Sequence, residues 1–212
     1  MTALGGPGEH EWRRAEQESC ETVWTQAGHA VARFDDIADR LFDRARGHRA
    51  IDRVMYATSS LEELEMVALT LAIGGPRRDR AWWPAARLGA AVAVESIVIN
   101  VVVKSVFRRP RPVAEAPRPY PMRQPLTSSF PSAHAANAFC AATLLAHDDP
   151  HLAPLYYAAA TLVAASRVYV QVHRASDVVG GIAIGLIWGH LYSRLAPVEP
   201  AAAEKARRDA DD

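Results

Sequence analysis

The sequence predicts an all-α protein: a helical bundle of about five membrane-spanning or very apolar helices, preceded by an amphipathic helix. Three observations carry this expectation. The charges are segregated, crowding the first sixty residues and the tail after Pro197, so a mean hydropathy near neutral conceals long apolar stretches between them. Apolar residues early in the chain recur at helical spacing. The last two apolar segments are apolar on every side, as a helix surrounded by lipid or by other helices must be.

Composition narrows the function classes. At 212 residues, the chain suits one domain with an appendage. Its 24 Lys and Arg balance 24 Asp and Glu, so no bulk basicity points to nucleic acid. Cys20 and Cys140 are too few and too far apart for a disulfide framework or a zinc site. The first twenty residues lack the apolar core of a secretory signal, so any entry into a membrane is expected through internal segments.

The expected organisation is a polar N-terminus (1–20), an amphipathic helical region (21–55), a bundle domain (56–196) and a charged tail (197–212). From about Val23 to Ala45, Ala27, Val31, Phe34, Ala38 and Leu41 form a helical stripe, expected to pack on the protein's own core. Its polar face mixes signs, unlike that of a basic membrane-surface helix. Gly47 is placed to end it. Five apolar segments follow: Leu64–Ile73, Leu88–Phe107, Ala135–Ala146, Leu152–Val170 and Val178–Leu195. A span needs roughly 20 apolar residues, a length three of them approach. A soluble bundle with unusually apolar helices is the alternative. Gly180, Gly181, Gly185 and Gly189 would let the last segment approach a neighbour closely.

If each segment crosses once, four segment ends meet on one face: the end of the second, the start of the third, the end of the fourth and the start of the fifth. Those ends carry three polar clusters. The first runs from Lys104 to Arg111-Pro112, at the exit of an apolar helix. Snorkelling at a membrane boundary explains any one of its cations but not the cluster. Lys104 as a point charge and Arg111 as a bidentate fork suit phosphate oxygens. The second cluster is Pro131-Ser132-Ala133-His134. Ser132 suits a helix N-cap, and the amides of Ala133 and His134 would face an anion, although an ordinary capped helix start reads the same way. His134 could act as a general acid. The third is Ser166-Arg167, followed by His173 and Asp177. The last two stand four apart, so a carboxylate could fix one imidazole nitrogen and leave the other to attack. Asn100, one turn before Lys104, is expected to support it, whereas Glu95 is a second polar group inside the same apolar segment. Trp82-Trp83 reads as an interfacial belt. His147, Asp148, Asp149 and His151 fall on the opposite face, as a solvated loop.

Together the three clusters resemble the signature of the type 2 phosphatidic acid phosphatase family, which also contains class A acid phosphatases and vanadium haloperoxidases. That signature is K-x6-R-P, P-S-G-H and S-R-x5-H-x3-D, matched here by Lys104/Arg111/Pro112, Pro131/Ser132/His134 and Ser166/Arg167/His173/Asp177. The resemblance spans roughly residues 56–195. Ala133 replaces the usual glycine, which keeps the amide and adds a methyl group to the site.

The resemblance implies that His173 attacks phosphorus, oriented by Asp177, while His134 protonates the leaving oxygen. Lys104, Arg111, Ser132, Ala133 and Arg167 would hold the phosphate oxygens, with no metal and no cofactor. It implies a multi-pass cell-membrane enzyme acting on a lipid phosphate or prenyl (di)phosphate, with the bilayer as partner and a homo-oligomer left open. A vanadate-dependent haloperoxidase and a catalytically silent membrane scaffold are the competing expectations.

Overall fold

A computed structural model describes residues 26–60, 82–113, 118–120, 122 and 127–197. The expected apolar segment Leu64–Ile73, the polar N-terminus and nearly all of the charged tail lie outside the described residues, as do the side chains of Trp82 and Trp83. All regular structure among the described residues is helical.

Helix α1 covers 26–43 and ends in a turn where Gly47 takes φ 88°, a left-handed conformation that only glycine adopts freely. Helix α2 is Arg49–Ser60. The next helix, α3, runs Trp82–Ile97, continues as a π-helical stretch (Val98–Val103) and ends in one α turn (Lys104–Val106). Helix α4 is Ala133–Asp148, α5 is Ala153–Tyr169 after a 3₁₀ turn, and α6 is Ala175–Leu195.

The centre of the bundle is α4. It packs most extensively on α6 and α5, and less on α3, and twelve of its sixteen residues, from Ala133 to Leu145, are buried. That explains why a segment too short for a span is apolar on every side: it is enclosed by helices. Small residues make the closest approach possible. A Cβ at Gly185 would collide with the Ala136 carbonyl, and one at Gly181 with the Ser132 carbonyl. By length and composition, two stretches among the described residues can cross a membrane, Ala86–Val106 and Ala175–Leu195. Both leave large apolar side chains at the surface, among them Ile97, Val101, Val102, Ile187 and Leu191.

The amphipathic helix forms, but its stripe does not pack as expected. Of that stripe Val31, Phe34 and Leu41 are 42%, 47% and 55% exposed, as is the neighbouring Ile37 at 53%, while Asp35 is 8% exposed and faces the bundle. Only Ala38 and Phe42 rest against the central core. The reason is electrostatic. Asp35 meets Arg109 and Ser176, and Asp39 pairs with Arg46, whose guanidinium donates to the Val168 and Tyr169 carbonyls, so polar contacts turn this helix toward the protein.

Candidate active site

The π-helical stretch of α3 ends with the Lys104 amide bonded to the Ile99 carbonyl, a pairing that adds a residue to the turn and changes the register beyond it. Within that stretch Asn100 accepts a hydrogen bond from Lys104 Nζ at 2.7 Å. The chain then leaves as an extended loop and meets a second loop, residues 127–131. The two are zipped together: the Ser129 amide donates to the Arg109 carbonyl at 2.9 Å, and the Arg109 amide to Ser128 Oγ at 3.1 Å. Phe130 anchors the second loop, stacking edge-on against Phe107 and lying over Gly180, where no Cβ fits.

These loops and the ends of α3, α4 and α5 enclose a cavity of about 240 Å³. It is lined by Lys104, Arg111, His134, Arg167 and His173, together with Asn100, Thr127 and Ala133. Three cations and two imidazoles therefore surround one small space. Arg111 is held in place by its Nε donating to the Thr127 carbonyl at 3.0 Å and Nη1 to the Val172 carbonyl at 3.0 Å. The Arg167 guanidinium is buried and donates to the Ser59 carbonyl and hydroxyl at 2.5 and 2.6 Å, contacts from α2.

His173 lies in the turn between α5 and α6 and is almost wholly buried. Its Nδ1 is 2.7 Å from the Ser129 carbonyl, and its Nε2 is 3.2 Å from Arg111 Nη1. A carbonyl can only accept and a guanidinium can only donate, so Nδ1 carries the proton and Nε2 presents its lone pair. Burial, then the charges of Arg167 and Arg111, hold the imidazole well below its ordinary pKa of 6.5, against the upward pull of the Ser129 hydrogen bond. The ring is therefore neutral near pH 7, the form a nucleophile requires.

Asp177 stands differently from the sequence expectation. Its Oδ2 is 3.9 Å from His173 Nδ1, beyond hydrogen-bond reach, and accepts instead from the Arg174 amide at 2.9 Å. Its Oδ1 meets Arg109 Nη1 at 2.5 Å. The acceptor that fixes the tautomer is the Ser129 carbonyl. Ser132 occupies the N-cap position of α4, but its hydroxyl makes no capping bond; it is fully buried with no hydrogen-bond partner among the described residues, and does not line the cavity. The Ala133 methyl belongs to a buried apolar cluster with Ile99 and Ala136, which accommodates it. Glu95 is buried in α3 and takes no part in the cavity lining. Asp148, expected in a solvated loop, is instead the last residue of α4 and pairs with the buried Arg87 at 2.9 Å.

Sequence reasoning missed Ser129, Thr127, Ser59 and Asp35. Ser129 contributes a main-chain carbonyl, which leaves no signature in residue type. Ser59 and Asp35 lie on helices far from the three clusters in the chain.

A helical bundle with a cationic cavity and two histidines at its helix ends defines a class of anion-handling proteins. The comparisons name it: residues 84–199, more than half of the chain, match the PAP2 superfamily, and the chain belongs to that family. The chain is 38% identical over 124 residues to the decaprenylphosphoryl-5-phosphoribose phosphatase of Mycobacterium tuberculosis, an alignment covering 58% of this chain and 66% of that protein. It is 34% identical over 101 residues to the phosphatidylglycerophosphatase B of Bacillus subtilis, covering 42% of this chain and 47% of that one. The chain thus spans just under two thirds, or about half, of the length of these relatives. Among solved structures it is similar to Aquifex aeolicus LpxE, with a TM-score of 0.55 and 28% identity over 74% of this chain and 92% of that one.

Proposed function

We propose that the chain is a membrane-embedded, metal-independent phosphatase that hydrolyses a lipid phosphate or prenyl (di)phosphate through a phosphohistidine. One observation carries the reading: Lys104, Arg111 and Arg167 share a cavity with His134 and with a neutral, buried His173 whose lone pair is directed at Arg111. The two phosphatase relatives, one named for a prenyl-linked substrate and one for a glycerophospholipid, support the substrate class.

Substrate phosphate entering the cavity competes for the Arg111 guanidinium, and transfer of that hydrogen bond to a phosphate oxygen releases the Nε2 lone pair. Nε2 then attacks phosphorus, an N–P bond forms and the ester P–O bond breaks. His134 gives its proton to the departing oxygen. In the second half, His134 takes a proton from water, whose oxygen attacks phosphorus, and the N–P bond breaks to release phosphate and restore His173. Throughout, Lys104, Arg111 and Arg167 stabilise the equatorial oxygens as charge spreads over them. The buried Ser132 hydroxyl and the Ala133 amide, at the start of α4, are further donors near that end of the site. Asp177 acts at one remove, by holding Arg109 and the start of α6. The clustered cations supply the neutralisation that magnesium gives other phosphoryl-transfer enzymes.

The cavity is smaller than the roughly 300–1,000 Å³ that encloses a whole drug-sized ligand, which suits a headgroup whose hydrocarbon tail stays outside in the bilayer. The two candidate spans support a multi-pass cell-membrane location. Purified protein is expected to release phosphate from short-chain phosphatidic acid in a vanadate-sensitive, chelator-resistant reaction that disappears in His173→Ala. Retained turnover in that variant would refute the nucleophile.

A further inference from the structure

Asp35 lies on α1, outside the residues 84–199 that match the family. It is nevertheless buried and carries three close contacts from the active-site end of the bundle. Its Oδ2 accepts from Arg109 Nη2 at 2.8 Å and from Ser176 Oγ at 2.8 Å, and its Oδ1 accepts from the Ser176 amide at 2.8 Å. A carboxylate buried with this many partners is held in one place, and it holds them in return.

Both partners lead to His173. Ser176 is in the first turn of α6, where amides have no intrahelical acceptor. The residue at the N-cap position, Arg174, has no side-chain acceptor to offer, so Asp35 caps this amide from another helix. His173 immediately precedes that cap, and the direction in which its main chain enters α6 is set there. Arg109 reaches the same imidazole by a second route. Its carbonyl accepts from the Ser129 amide at 2.9 Å, and the Ser129 carbonyl is the acceptor that fixes His173 Nδ1. The Arg109 side chain is a bridge, with Nη2 on Asp35 and Nη1 on Asp177. Burial alone would weaken its hold on a proton, yet its two carboxylate neighbours keep its pKa above the ordinary arginine value.

We propose that Asp35 is a positioning residue for His173: from α1 it anchors Arg109 and the first turn of α6, the two elements that fix the imidazole. It lines no part of the cavity and touches no phosphate oxygen, so it acts on the geometry of attack and not on substrate affinity. This role rests on the phosphatase reading given above.

The test uses full-length protein in mixed micelles with short-chain phosphatidic acid, comparing wild type with Asp35→Asn and Asp35→Glu. Asn keeps an oxygen for the Ser176 amide but loses the charge that holds Arg109; Glu keeps the charge. Asp35→Asn is expected to lower kcat by about ten-fold or more, since small misplacements of a nucleophile are costly. KM and vanadate inhibition should stay within about two-fold, because the cavity cations are untouched. Asp35→Glu should recover much of the lost kcat. Wild-type kcat per folded molecule in Asp35→Asn overturns the proposal. If Asp35→Asn does not fold, Arg109→Lys decides, since it leaves the Asp35–Ser176 cap intact and removes the two-armed bridge. Folded Arg109→Lys with undiminished kcat overturns the role, whereas a kcat loss at unchanged KM supports it. A wild type that releases no phosphate defeats the phosphatase reading itself, and this role with it. An active wild type whose variants match it defeats the role alone.

Discussion

In the proposed reaction His173 is the nucleophile, and its environment sets its pH behaviour. A buried imidazole beside Arg167 and Arg111 resists protonation, so its folded pKa lies below the 6.5 of a free histidine. Two consequences share that sign. The acidic limb of kcat/KM due to this group should fall below pH 6.5, read from rates between pH 4 and 8. Stability contributed by the neutral ring is present above pH 6.5 and is lost as pH falls toward the folded pKa, because the unfolded chain binds the proton first. A wild-type rate that already falls with acid above pH 7, with no limb below pH 6.5, would contradict this environment. The residue types of this site were legible in the sequence, since Lys104, Arg111, His134, Arg167 and His173 stand in three ordered clusters. The tautomer was not. Spacing of four places Asp177 one helical turn from His173 only if both are helical, and α6 begins at Ala175. Its carboxylate is spent on Arg109 and the Arg174 amide, and a main-chain carbonyl takes its expected place.

At the level of elements, the sequence located helices well and their partners less well. The expected segment Ala135–Ala146 is the inner part of Ala133–Asp148, and Val178–Leu195 is most of Ala175–Leu195. Periodicity revealed the stripe of Val31, Phe34 and Leu41, but it cannot say which face a helix presents to its neighbours. Here Asp35 decides that, through Arg109, a partner 74 residues away in the chain. The glycines of α6 were legible as a close-contact surface, and the structure supplies their partner, α4. Gly185→Val should therefore push the two helices apart. An overpacked helix contact costs about 1–3 kcal/mol, or more where backbone must move. The expected result is a lowered thermal midpoint with reduced activity. A midpoint equal to wild type would mean that the helices are not in van der Waals contact at this position.

For the whole molecule, the decisive property is that four helix ends distant in sequence converge at one end of the bundle. A neutral total charge hides this, because the cations of the site are balanced by acids elsewhere. Helices α1 and α2, outside the family-matched region, supply Asp35 to Arg109 and Ser59 to Arg167, so the site is braced by the whole described chain. The most direct test of the account is to quench a single turnover of ³²P-labelled short-chain phosphatidic acid and map the label. A phosphohistidine pathway gives an acid-labile, base-stable phosphoryl group on His173 that is absent from His173→Ala. Label on any other residue, or full turnover by His173→Ala with no labelled protein, would contradict it.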